Sequence, residues 1–148
     1  MSSKNNSNLF FLCSLIEQIG RDLHKERGKV AAQIGIEGLR QVYEFADVFH
    51  CEPIQKVSDD MITQYQLKEG QFNNVEKARF SVPDVWTMGK VYARLIEDVS
   101  DEDSIPQTAM DVYTSWIDKS LSDYNSAFFF QPRDYIAECY HRGGIDPE

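Results

Sequence analysis

Apolar side chains return every three or four residues along nearly the whole chain, from Leu9 to Tyr140. That spacing gathers them on one face of an α-helix. A sequence patterned this way must bury its stripes by packing helix on helix. With 148 residues and 42% hydrophobic side chains, the chain is about the size of one ordinary domain. It can build a core without disulfides or a structural metal. The expected fold is all-α: a single-domain bundle of six to seven helices over residues 9–148, with a flexible start at 1–8 and one irregular segment near 67–82.

The first helix is expected at about 9–24, with Leu9, Leu12, Ile16, Ile19 and Leu23 in its stripe and Arg21, Lys25 and Arg27 near its end, where cations suit the helix dipole. A short helix near 27–34 follows, then a turn at Gly35, then a helix at about 36–49. His50 and Cys51 fall in the next break, and Pro53 opens a helix at about 52–66. The periodicity lapses from Leu67 to Val82, where residues 78–82 could pair as an isolated strand. Pro83 and Asp84 open a helix at about 83–99, and Pro106 starts the longest, to about 127. Pro132 opens the last, which Gly143 and Gly144 end.

The 24 acidic residues outnumber the 15 basic ones, for a net charge of −9. That balance repels phosphates and anionic lipid, which argues against nucleic-acid and membrane-surface binding. A helix-turn-helix drawn around Gly35 meets the same objection, because its second helix carries Glu37, Glu44 and Asp47 against Arg40 alone. Only the group Arg21, Lys25, Arg27 and Lys29 favours phosphate. The cysteines Cys13, Cys51 and Cys139 are odd in number and widely spaced, which reads as reduced thiols in cytoplasm. The apolar start at Leu9 is too short for a membrane span and lacks a signal-peptide cleavage site.

Chemistry-bearing motifs are scarce. His50-Cys51 and Cys139-Tyr140-His141 are the only close His/Cys groupings, short of the paired clusters that zinc requires. Cys139 and His141 lie two residues apart on an expected helix, about 200° around it, so they cannot form a dyad. No nucleophile elbow, phosphate-cradling glycine loop or His-Glu-x-x-His is present. The expectation is no cofactor, no metal and no catalytic residue.

Two features suggest a contact surface instead. Between Arg94 and Lys119 stand seven acids and no base: Glu97, Asp98, Asp101, Glu102, Asp103, Asp111 and Asp118. Such a run projects a negative potential and would steer a partner with a basic surface. Nearby, Phe128, Phe129 and Phe130 cannot all point at one core, so at least one is expected at the surface. The expected partner-binding residues are therefore Asp98, Asp101, Glu102 and Asp103 on the electrostatic side, with Phe129 and Phe130 as apolar anchors.

The stretches at 43–54, 81–83, 112–117, 123–126 and 135–140 (Tyr135-Ile136-Ala137-Glu138-Cys139-Tyr140 among them) resemble a family of small all-helical proteins of Gram-positive bacteria. That group in turn resembles proteins encoded near ADP-ribosyltransferase-like toxins. The resemblance implies an antitoxin or accessory role and brings no catalytic motif. The function expected on these grounds is a non-catalytic, cytoplasmic protein that binds and occludes a protein partner. Two other classes stay open: an acidic nucleic-acid mimic that blocks a defence nuclease, and an enzyme whose site joins distant residues such as His50, Cys51 and His141.

Overall fold

Residues 6–101 and 104–145 are described by a computed structural model, and among them the regular structure is helical throughout, with no strand. The first helix, α1 (Asn6–Leu23), is more than an amphipathic surface element. Leu9, Leu12, Leu15, Ile16 and Ile19 are at most 1% exposed, and Phe11, Cys13, Ser14 and Glu17 are buried beside them. A helix apolar nearly all round must be enclosed on all sides. It forms the shaft of the bundle, and each Leu or Ile withdrawn from water there contributes about 1.5–3 kcal/mol.

Around the shaft the chain runs through α2 (Arg27–Glu44), α3 (Ala46–Phe49), α4 (Ile54–Tyr65) and α5 (Val85–Val99). It continues through α6 (Ile105–Tyr113), α7 (Ile117–Leu121), a 3₁₀ turn (Phe128–Phe130) and α8 (Arg133–Arg142). Helices α5, α2, α4 and α3 pack on α1; α6 packs on α2 and α5, and α8 lies outside α5. Helices α1 and α5 approach closely at Gly89. A Cβ on Gly89 would run into the Ser14 backbone, so only glycine lets the two helices meet there.

The expected break at Gly35 is present: its φ of 84° and ψ of 164° interrupt α2, a conformation that glycine adopts without strain. The second half of α2 ends sooner than expected, because Phe45 leaves the helical region and α3 starts afresh. Pro53 immediately precedes α4, and Asp84 caps α5 by accepting the Thr87 backbone N–H at 2.7 Å.

The long helix expected at 106–127 does not form. It divides into α6 and α7, with the 3₁₀ turn following them, because short polar side chains compete for the backbone. Thr114 Oγ1 donates to the Met110 carbonyl at 2.7 Å, and Ser115 Oγ donates to that of Val112 at 2.7 Å. Further on, Asp123 accepts from the Asn125 N–H and Ser126 Oγ from the Phe128 N–H, each at 3.0 Å. The apolar stripe survives the breaks: Ala109, Val112, Tyr113, Ile117, Leu121, Tyr124 and Phe128 are all buried.

The segment between α4 and α5 is irregular, as its lapsed periodicity indicates, and 78–82 does not pair as a strand. It is nonetheless fastened to the bundle. Gly70 and Phe72 donate backbone N–H groups to the carbonyls of Leu23 and His24, each at 2.8 Å, and Asn74 Nδ2 donates to the Ser122 carbonyl at 2.9 Å. Among the described residues no helix is long and apolar enough to cross a membrane.

Candidate functional site

Polar groups gather in two places, one inside the bundle and one on its surface. Inside, Glu17 and Arg27 face each other with side chains 1% and 0% exposed. Arg27 Nη2 lies 2.8 Å from Glu17 Oε2 and its Nε 3.1 Å from Oε1, a two-pronged pair. Arg21 Nε adds 2.8 Å to the same carboxylate, and the Tyr124 hydroxyl donates to it as well. Burial alone would raise the Glu17 pKa, but Arg27 above all, with Arg21 and Tyr124, brings it down to about 2. Gly20 opens the space for the Arg27 side chain, which a Cβ there would strike.

Asp118 lies beside this cluster, accepting from the Tyr92 hydroxyl at 2.7 Å and from the Gly28 backbone N–H at 3.0 Å. Burial pushes its pKa up against those hydrogen bonds. Together these groups tie α1, α2, α5, α7 and the irregular segment to one another. Their hydrogen bonds run among themselves and to the backbone carbonyls of Lys25 and Pro83, an arrangement that holds the fold together.

This interior accounts for much of the charge that the sequence suggested for the surface. Of the basic group, Arg27 and Lys25 are 0% and 5% exposed and Arg21 is mostly covered, which leaves Lys29 as the solvated member. The acidic run is divided in the same way. Asp118 is interior, while Glu97 and Asp98 converge on Arg133 from α8, at 3.0 Å and 2.8 Å. Asp98, expected to be on the electrostatic side of an interface, is therefore half of a bidentate pair with Arg133 Nε and Nη2. Asp101 and Asp111 remain exposed. Glu102 and Asp103 lie outside the described residues.

The aromatic expectation resolves residue by residue. Phe128 and Phe129 are buried at 5% and 9%, while Phe130 is 68% exposed. Phe129 meets Tyr124 edge-on at 5.9 Å and Phe130 at 5.0 Å, so it is the support on which Phe130 stands. Phe130 forms one rim of a surface groove of about 510 Å³ between α5 and the 3₁₀ turn with the start of α8. Trp86, 44% exposed and 5.6 Å from the Phe10 ring, stands on the α5 side of that groove. Its floor is apolar, from Val91, Leu95, Phe129 and Ile136, and its margin carries Lys90, Arg94 and Arg133 against Asp84.

Sequence reasoning did not single out Trp86, Lys90 or Arg94. Their one visible signal is their spacing, which places three solvent-facing residues on successive turns of α5. The remaining candidates for chemistry are dispersed. His50 stacks on Phe11 at 5.9 Å, Cys51 is exposed and Cys139 is buried. Among the described residues no three of His, Cys, Asp and Glu converge as metal ligands would. No protein-family model matches the chain, and neither a curated protein nor a solved structure matches it.

Proposed function

We propose that this chain is a binding protein and that it holds a protein partner on the groove between α5 and α8. The observation that carries the reading is the pair Trp86 and Phe130, two large aromatic side chains that stand partly exposed on opposite sides of one apolar-floored groove. Aromatic anchors beside such a pocket are the usual energetic centre of an interface. Occlusion of a partner, in the manner of an antitoxin or accessory protein, is the specific form of this reading that the sequence resemblance implies. The nucleic-acid-mimic reading draws less support, because Glu97 and Asp98 share a salt bridge to Arg133, which offsets part of their charge, and Asp118 is interior.

The test is affinity purification of the tagged chain from its source cell, wild type beside the Trp86→Ala/Phe130→Ala double variant. Both residues are partly solvent-exposed, so thermal midpoints should stay close. A protein recovered with the wild type and depleted from the variant supports the reading. Equal recovery of every protein with both would sink it.

A further inference from the structure

The groove has a chemical polarity that the net charge of the chain conceals. Trp86, Lys90 and Arg94 follow one another at four-residue intervals on α5, all exposed, each about 6 Å further along the axis. Two cations at i and i+4 repel on an isolated helix. A chain with 24 acids has ample means to pair them. Arg94 in particular has Glu97 and Asp98 three and four residues ahead, the positions from which a helix normally supplies a carboxylate. Both instead bind Arg133, which reaches across from α8. Among the described residues neither Lys90 nor Arg94 makes an ion pair.

Resting on the groove reading above, we infer that the docking segment of the partner is an acidic peptide: a bulky apolar side chain seated between Trp86 and Phe130, with carboxylates that meet Lys90 and Arg94. The spacing of the two cations matches acids four residues apart on a partner helix. A small anionic amphiphile fits less well. Its single head group would satisfy one cation, and sites for small molecules enclose most of the ligand, whereas this groove leaves Phe130 68% exposed. Charge complementarity at such a rim acts chiefly on the association rate and weakens with salt.

The test is selection of displayed random peptides of about 15 residues, long enough for some four helical turns, on the intact protein. Enriched peptides are expected to carry net negative charge around an aromatic or leucine anchor. They should bind at least about tenfold more weakly to a Lys90→Glu/Arg94→Glu variant of unchanged thermal midpoint. Trp86→Ala should weaken them as well. Enrichment of neutral or basic peptides, or acidic ones indifferent to the charge reversal, would overturn the inference. So would saturable binding of dodecanoate at the groove with no acidic peptide enriched, since the site would then belong to a small molecule. Acidic peptides that depend on Lys90 and Arg94, found beside a cellular partner indifferent to Trp86 and Phe130, would show that the groove prefers acidic peptides but is not where the partner docks, which removes the proposed function and this inference with it. Neutral or basic peptides beside a partner lost from the Trp86→Ala/Phe130→Ala variant would overturn this inference alone.

Discussion

Arg27 grips Glu17 through two hydrogen bonds of 2.8 Å and 3.1 Å in the dry centre of the bundle, ten residues away across the α1–α2 turn. Each charge alone would be intolerable there, and together they fix how α2 leaves α1. Breaking a buried pair by removing one member costs about 3–5 kcal/mol, because the other is left uncompensated. Arg27→Met should therefore lower stability by about that amount in urea titrations. Adding Glu17→Leu should cost less than the two single changes summed, and strict additivity would mean that the pair is not coupled.

The same pair makes stability depend on acid. The Glu17 pKa is about 2 in the fold against an ordinary 4.5, a depression equivalent to about 3 kcal/mol. That contribution is fully present above the unfolded value and is lost as pH falls from about 4.5 towards about 2. Asp118 acts in the opposite sense, because its raised pKa favours the fold in acid. Comparison with Glu17→Gln isolates the carboxylate: between about pH 6 and about pH 3 the wild type should lose more stability than the variant. Parallel curves would contradict the assignment.

Gly89→Ala offers a change whose sign is diagnostic. On an exposed helix, replacing glycine by alanine stabilises by about 1 kcal/mol. At this position the new Cβ meets the Ser14 backbone, which cannot swing aside. The expected outcome is destabilisation by about 1–3 kcal/mol, read from the urea midpoint at unchanged slope. A gain in stability would show that α1 and α5 are less closely packed than this.

The three thiols should separate by access. Cys13 and Cys139 are fully buried, and burial pushes the Cys13 thiol up to about 12. Cys51 is exposed at the turn before α4. A thiol reagent at neutral pH should modify a single cysteine in the native protein, identified as Cys51 by peptide mapping, and all three in denaturant. Rapid modification of Cys13 in the native protein would mean that the shaft helix opens readily.

Much of the fold was legible because helices are specified locally. The three-to-four spacing marks the stripes, Pro53, Pro83, Pro106 and Pro132 stand at or beside helix starts, and Gly35 and Gly143 supply positive φ at ends. The breaks within 106–127 were legible in part: Thr114-Ser115 and Ser122-Asp123 carry side chains that compete with helical hydrogen bonds. Three adjacent phenylalanines announced an exposed ring, but which of them turns outward depends on the 3₁₀ turn that carries them.

The sequence by itself determined that the chain is helical, where most helices begin, and which residues fill the core, since those properties depend on neighbours one turn away. Only the tertiary structure decided what the charges do. Glu17 interrupts an apolar helix as though misplaced until Arg27 meets it, and Arg94 looks paired with its own helix until Arg133 takes its neighbours. Coulomb interactions and desolvation depend on separation and burial in space, not along the chain, so which charges face solvent unpaired is settled only when the helices pack.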